Sequence, residues 1–270
     1  MKNDSIFQVE KFDIADVTFT FSDNTLRSPG IVNLVEETQE LFTNNIIKYY
    51  PNANATSKDV GHKVTIEMGI SSDEDTLSLT TDESYCLAMS TTASTETTVV
   101  SIEATTFFGA RHGLETLSQM IDYDEVDECL QILSDSHLCD TPVFAYRGIM
   151  LDSSRNFITI KGLEQAIEGM AANKLNVLHL HLTDAASFPL ELKSVPLMNF
   201  YGRYSPEKSY TADQMKKLVQ YAKVRGVRII PELDAPSHVG YGWQWGPEEN
   251  LGNLVTCLAK VSLVIPAKYL

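Results

Sequence analysis

The 270-residue chain carries a formal net charge of −15, from 36 acidic and 21 basic side chains. This balance argues against nucleic acid as a partner, because neutralising phosphates requires a basic surface. The sequence contains no run of about 18 apolar residues, so no membrane-spanning helix is predicted. The first ten residues show no apolar signal-peptide segment, so an exported product is expected to begin upstream of them.

The first region, residues 10–125, is predicted to be an α+β domain. Its expected elements are a partly alternating strand at 11–21, a helix at 31–50, strands at 63–70, 85–90 and 97–104, and a helix at 107–121. The acidic, polar segment 122–141 has the composition of a connector. The sequence therefore predicts a domain boundary near residue 140.

The second region, residues 140–270, alternates apolar strands with amphipathic helices. Strands are expected at 146–151, 175–182 and 227–233, and helices at 161–174 and 211–225. Thr211 and Gln214 have the spacing of a capping box at the start of the last helix. Buried strands that alternate with helices predict βαβ units and a parallel sheet.

An aspartate follows each predicted strand of this second region, at Asp152, Asp184 and Asp234. The carboxyl ends of parallel strands are where α/β enzymes place their active sites, so these three residues predict a functional rim. His179 and His181 are two positions apart in one strand, and they are expected to share one face of the sheet.

Four cysteines are present, at positions 86, 129, 139 and 257, and none has the CxxC spacing of a zinc ribbon or redox dithiol. Cys129 and Cys139 bracket a short segment and could pair in an oxidising compartment, or all four could be free thiols. Sequons at Asn3 and Asn54 favour a secreted glycoprotein. No cofactor is predicted.

Four segments together resemble glycoside hydrolase family 20, the β-N-acetylhexosaminidases. They are the helix 108–116 (FGARHGLET) and the strand regions 147–155 (RGIMLDSSR), 174–189 (KLNVLHLHLTDAASFP) and 226–238 (GVRIIPELDAPSH). Leu180 stands where this family usually has Trp. The resemblance implies a non-catalytic α+β domain followed by a TIM-type (β/α) barrel, of which three of the eight strands are recognisable here. Because residues 261–270 depart from the family pattern, a truncated catalytic domain is expected.

The resemblance also implies an activity: removal of terminal non-reducing N-acetylhexosamine from glycans or chitin oligomers by substrate-assisted, retaining hydrolysis. In this family an Asp-Glu pair after the fourth strand orients the substrate acetamido group and protonates the leaving oxygen. No acidic pair of this sequence follows a predicted barrel strand in that way. The chain by itself is therefore expected to be inactive.

Several residues acquire expected roles from the resemblance. Arg147, Asp152, His181 and Trp243 would bind the sugar, with Trp243 and Trp245 either stacking on a ring or packing within a loop. Asp184 and His238 would form a relay that supports the missing acid, and Asp234 would assist them. A lysosomal or secreted location, and a homodimer of the full-length relative, would also follow.

Two alternatives remain open from the sequence. The chain could be a non-catalytic protein that binds a sugar or a partner. It could also be a metal-dependent hydrolase, because His179 and His181 at the end of a barrel strand resemble the first two ligands of an amidohydrolase metal site.

Overall fold

The computed structural model describes residues 8–23, 25–50, 52 and 61–255. Both sequons, Cys257 and the segment 261–270 lie outside these residues. The chain forms two compact units, Met1–Ala145 and Tyr146–Leu270. Within the described part of the chain, no helix is long and apolar enough to cross a membrane.

The first unit is built on two sheets, whose strands are β1 (Val9–Phe12), β2 (Val17–Phe21), β3 (Lys63–Ile70), β4 (Tyr85–Thr92), β5 (Thr97–Ala104), β6 (Asp122–Asp124), β7 (Cys129–Leu133) and β8 (Ser136–Asp140). One is a five-stranded mixed sheet in the order β2-β3-β5-β4-β8, and the other is a three-stranded antiparallel sheet in the order β1-β7-β6. Helix α2 (Phe107–Met120) packs on β3, β4 and β5 and against helix α1 (Pro29–Tyr49).

Two glycines explain how closely α2 approaches this sheet. A Cβ atom at Gly109 would lie 2.3 Å from the carbonyl oxygen of Ser84, and one at Gly113 would lie 2.5 Å from Cγ2 of Ile102. Any larger residue would push the helix off the sheet. Thr106 caps the helix by accepting a hydrogen bond from the amide of Gly109.

Two of the secondary-structure predictions for this unit are wrong. The strand expected at 11–21 is interrupted by a 3-10 helix, Ile14–Asp16, whose cap is the side chain of Asp13. The segment expected to be a connector, 122–141, contains three strands. In β7 the segment has buried residues that its acidic overall composition does not indicate. Strand β8 is a polar edge strand that forms through long-range pairing with β4.

The alternative of a Cys129–Cys139 disulfide is also wrong. Cys86 and Cys139 form a disulfide, because antiparallel pairing of β4 with β8 places them directly opposite each other, with 4.1 Å between their Cα atoms. Cys129 lies in β7 of the other sheet, where it is buried and takes no part in this disulfide. The alternative of four free thiols is excluded by the same finding.

The elements of the second unit are β9 (Gly148–Asp152), α3 (Ile160–Ala172), β10 (Val177–Thr183), α4 (Pro196–Gly202), α5 (Ala212–Val224) and β11 (Arg228–Leu233). The three strands form a parallel sheet, as the sequence predicts, and their order is β11-β10-β9. Short helix α4 was not predicted. Thr211 and Gln214 form the expected capping box of α5. That these three strands are part of an incomplete eight-stranded (β/α) barrel stays a prediction.

One face of this sheet carries an apolar core. Leu178, Leu180 and Leu182 of β10 pack with residues of α3 and α5 in a buried cluster. Because side chains alternate along a strand, His179 and His181 lie on the opposite face. Residue 180 is fully buried among these leucines, so it contributes to the core and not to the face that carries the histidines.

Candidate functional site

The three predicted aspartates lie together at the carboxyl edge of the parallel sheet. Asp152 is the last residue of β9, while Asp184 and Asp234 directly follow β10 and β11. The register of β10 against β11 shifts near the end of β10, between His181 and Thr183. The amide of Asp234 then donates to the hydroxyl of Thr183, which ties the ends of the two strands together.

Asp184 is the centre of the cluster. Its buried Oδ2 lies 2.5 Å from Nη2 of Arg155, 3.1 Å from Nε2 of His181 and 3.2 Å from Nδ1 of His238. Oδ1 accepts from the amide of Ala185 at 2.6 Å. Such charge-assisted contacts fix the position of this carboxylate.

His238 occupies a turn after β11 and has a φ of 57°. Few side chains adopt this left-handed conformation, although histidine does so more often than most. Because a carboxylate only accepts hydrogen bonds, the contact with Asp184 places a proton on Nδ1 of His238. The expected pairing of Asp184 with His238 is therefore present as a contact, and its catalytic role stays a prediction.

Arg155 joins this edge although the sequence analysis gave it no role. Its Nη1 donates to Oδ2 of Asp152 at 2.7 Å, and its side chain is half-exposed. Hydrogen bonding to Asp152 raises the pKa of Arg155 against the opposing effect of burial. The sequence signal that could have identified Arg155 is its position three residues after the end of a predicted strand, because residues at such positions lie near the carboxyl edge of a parallel sheet.

Asp152 mainly holds the turn that presents Arg155. Its Oδ1 accepts from the amides of Ser154 and Arg155, at 3.1 and 3.0 Å. Burial alone would raise the pKa of Asp152, but these hydrogen bonds and the guanidinium outweigh it and lower the pKa. The carboxylate is thus held ionised beside the guanidinium.

Arg147 lies at the other end of the sheet. Gly148 pairs with Val177, whereas Asp152 pairs with His181, so the Cα atom of Arg147 is roughly 16 Å along the strand from that of Asp152. Its Nε donates to the carbonyl oxygen of Lys174 at 2.8 Å. Arg147 precedes the first residue of β9, whereas Asp152 is its last residue. The structure therefore does not bring Arg147 to the carboxyl edge.

His179 and His181 do share a face, and both contact Glu232 of β11. Oε2 of Glu232 lies 2.5 Å from Nε2 of His179 and 3.0 Å from Nδ1 of His181. Hydrogen bonding to His181 lowers the pKa of Glu232. Sequence reasoning missed Glu232, although its position two residues before Asp234 places it on the same face as the histidines.

Trp243 and Trp245 belong to a loop cluster. Trp245 is buried with Phe188 and Met198, and its indole N–H donates to the carbonyl oxygen of Gly242 at 2.8 Å. Trp243 is partly buried and packs against the same cluster. The geometry favours loop packing for Trp245, while the half-buried Trp243 keeps an exposed part.

By distance, two groups could share a cation: His181 with Glu232 and Asp234, and Asp184 with Asp234 and His238. In both groups, however, an imidazole nitrogen faces a carboxylate oxygen at hydrogen-bonding distance, and Arg155 already supplies positive charge. We therefore interpret the cluster as a network of hydrogen-bonded ion pairs.

Each of the two units matches the model of a known protein family. The model of the glycosyl hydrolase family 20 catalytic domain matches residues 144–263, and a model described as beta-acetyl hexosaminidase like matches residues 11–120. The chain belongs to glycosyl hydrolase family 20. The family predicted from the four sequence segments is therefore confirmed.

Individual family 20 relatives agree with this assignment. The chain is 49% identical over 167 residues to a chitooligosaccharidolytic beta-N-acetylglucosaminidase of Bombyx mori, covering 62% of this chain and 28% of the relative. It is 39% identical over 220 residues to the enzyme of the same name from Ostrinia furnacalis, covering 81% and 37%. The structure resembles a chitobiase of Flavobacterium johnsoniae with a TM-score of 0.66 and 26% identity, covering 86% of this chain and 34% of that one. The chain thus spans about a third of the length of these relatives.

Proposed function

We propose that the second unit forms part of the sugar site of a β-N-acetylhexosaminidase that removes terminal non-reducing N-acetylhexosamine from glycans or chitin oligomers. The observation that carries this proposal is the ion-pair cluster of Arg155, Asp184 and His238 at the carboxyl edge of the sheet. The names of the relatives supply the substrate class: two insect relatives are chitooligosaccharidolytic beta-N-acetylglucosaminidases.

Arg155 takes the sugar-binding role that the sequence suggested for Arg147. Its guanidinium is fixed by Asp152 and Asp184 while half of the side chain stays exposed. A planar group with several N–H donors suits paired hydroxyl oxygens of a sugar ring. Because both carboxylates hold it in place, little side-chain entropy is lost when a sugar binds.

His238 and Asp184 serve the proton chemistry in this proposal. With Nδ1 protonated against Asp184, Nε2 of His238 is free to accept a hydrogen bond and to hold a neighbouring acid in its active orientation. The reaction would be retaining and substrate-assisted: the acetamido oxygen of the substrate attacks the anomeric carbon, and a carboxylic acid protonates the leaving oxygen.

The 270-residue polypeptide alone is expected to bind the sugar without turning it over. The acidic pair of the second unit, Glu248-Glu249, lies in a turn region and not after a strand. Without a positioned general acid, the loss in rate is on the order of 10²–10⁴-fold. The disulfide of Cys86 with Cys139 supports a lysosomal or secreted location, since disulfides persist in oxidising compartments.

The test has two readouts on the same purified chain. Saturation-transfer NMR measures binding of N-acetylglucosamine, and a chromogenic N-acetyl-β-glucosaminide measures turnover at acidic and neutral pH. Binding without turnover supports the proposal. Absence of binding contradicts the sugar site, whereas turnover contradicts the expected inactivity and shows that another group of the chain acts as the acid.

A further inference from the structure

The ring of His181 is held between two carboxylates. The residue is 5% exposed, and its Nδ1 lies 3.0 Å from Oε2 of Glu232 while its Nε2 lies 3.1 Å from Oδ2 of Asp184. A carboxylate oxygen only accepts hydrogen bonds, whereas a neutral imidazole has one N–H and one lone pair. A neutral His181 would therefore direct a lone pair at a carboxylate in a buried site.

We infer that Glu232 is a positioning residue that, together with Asp184, holds the His181 ring protonated on both nitrogens. The second unit would then carry a built-in imidazolium at the carboxyl edge of its sheet, beside the guanidinium of Arg155. Nothing in the family comparisons assigns a role to Glu232 or to the charge of His181.

The charges around His181 support this state from every side. The sheet and the segments after its strands present four carboxylates, those of Asp152, Asp184, Glu232 and Asp234, and the cationic group of Arg155. His179 and His238 each contact one of these carboxylates. Four negative charges against one guanidinium leave an excess of three before any histidine is protonated, so a proton on His181 reduces repulsion. Burial opposes this charge, but the hydrogen bonds to Glu232 and Asp184 outweigh it and raise the pKa of His181.

Glu232 is itself fixed by a second contact. Its Oε2 also lies 2.5 Å from Nε2 of His179, so the carboxylate is held between two histidines of β10. This contact orients the oxygen toward Nδ1 of His181 and leaves Nε2 of His181 for Asp184. Glu232 is thus linked to Asp184 through His181, and its part in this inference is that of a positioning residue.

The chemical consequence rests on the proposed function. Oδ2 of Asp184 is shared by Nε2 of His181 and Nδ1 of His238, and His238 contacts it with Nδ1 protonated because a carboxylate oxygen only accepts hydrogen bonds. The Nε2 atom of His238 then remains an acceptor for the supported acid. If Glu232 lost its charge, the His181 ring would be held by a carboxylate through one nitrogen instead of two, and the donor that it presents to Asp184 would be less firmly oriented.

The protonation state can be measured without any sugar. Two-dimensional ¹⁵N NMR reports protonation of both imidazole nitrogens, and the His181 signals are identified by their absence in His181→Gln. We expect both nitrogens of wild-type His181 to be protonated at pH 7.5, about one pH unit above the ordinary pKa of histidine. In Glu232→Gln the titration midpoint should fall by about one pH unit or more. The exposed Glu249→Gln, with the same chemical change, should leave it unaltered.

A wild-type His181 that is neutral at pH 7.5 overturns the inference, and this result needs no folded variant. A His181 that stays equally protonated in a folded Glu232→Gln overturns the role of Glu232. Because the readout involves no ligand, a failure of sugar binding would contradict the proposed function and leave this inference standing.

Discussion

Arg155 and Asp184 form an ion pair in which Nη2 lies 2.5 Å from Oδ2, across the ends of neighbouring parallel strands. The carboxylate is buried and the guanidinium is half-exposed. A cation is thereby anchored at one end and available to a ligand at the other. Arg147, in contrast, is bonded to the carbonyl oxygen of Lys174 at the opposite edge of the sheet.

Matched substitutions at these two arginines separate their roles. We expect Arg155→Lys to weaken N-acetylglucosamine binding about tenfold, because an ammonium group cannot contact both carboxylates and a sugar with the geometry of a guanidinium. Arg147→Lys should leave the dissociation constant unchanged. Both constants can be measured by NMR titration, and the opposite ranking would return the sugar-binding role to Arg147.

The charge network also predicts a pH dependence of stability. The pKa of His181 is raised in the folded chain, so its contribution is complete below about pH 6.5 and is lost as the pH rises through the folded pKa. The pKa of Glu232 is lowered, so its contribution is present above about pH 4.3 and is lost as the pH falls through its folded pKa. We expect the second unit to be most stable at mildly acidic pH.

Tryptophan fluorescence measures this dependence selectively, since both tryptophans of the chain, Trp243 and Trp245, lie in the second unit. Urea midpoints should decrease between pH 6 and pH 8 in the wild type. In His181→Gln the decrease should be smaller. Equal slopes in the two proteins would show that His181 does not control this limb.

The disulfide predicts a stability difference in the first unit. Cys86 and Cys139 are 53 residues apart, and a crosslink closing a loop of that size stabilises a protein by about 2–4 kcal/mol. Replacing both by serine should lower the unfolding free energy by that amount, measured by far-UV circular dichroism in urea. Non-reducing peptide mapping should recover Cys86 bonded to Cys139, and a Cys129–Cys139 peptide would contradict the structure.

Two helical glycines should respond in opposite directions to alanine. In Gly113→Ala the new Cβ would lie 2.5 Å from Cγ2 of Ile102, and we expect destabilisation by about 1–3 kcal/mol. In Gly169→Ala nothing lies within 4 Å of the added atom, so helix propensity should stabilise α3 by about 0.5–1 kcal/mol. Thermal unfolding of both variants beside the wild type tests the close packing of α2.

Local sequence patterns were sufficient where local physics decides the structure. The predicted bounds of β3 and β5 agree with the observed Lys63–Ile70 and Thr97–Ala104, because apolar alternation and turn residues define them. The capping box of α5 was predicted for the same reason. Segment 122–141 failed because β8 is a strand only through its pairing with β4, and composition does not reveal long-range pairing.

The position of the candidate site could be predicted from the sequence, whereas several of its residues could not. Aspartates after three parallel strands correctly indicated the carboxyl edge, since that rule depends only on strand direction. The choice between Arg147 and Arg155 requires knowing which end of the strand each residue occupies. Glu232 was missed because its two contacts cross from β11 to β10, and the sequence does not give the register between these strands.

The strand pairings of the first unit bear on how the chain is synthesised. Val9 pairs with Leu133, and Cys86 forms its disulfide with Cys139. The first unit therefore cannot finish folding until nearly all of its residues have left the ribosome. None of these partners lies in the second unit. At translation rates of about 5–20 residues per second, the first unit gains several seconds in which to fold and to oxidise its disulfide while the second is still being made. The polypeptide is thus suited to vectorial, co-translational folding.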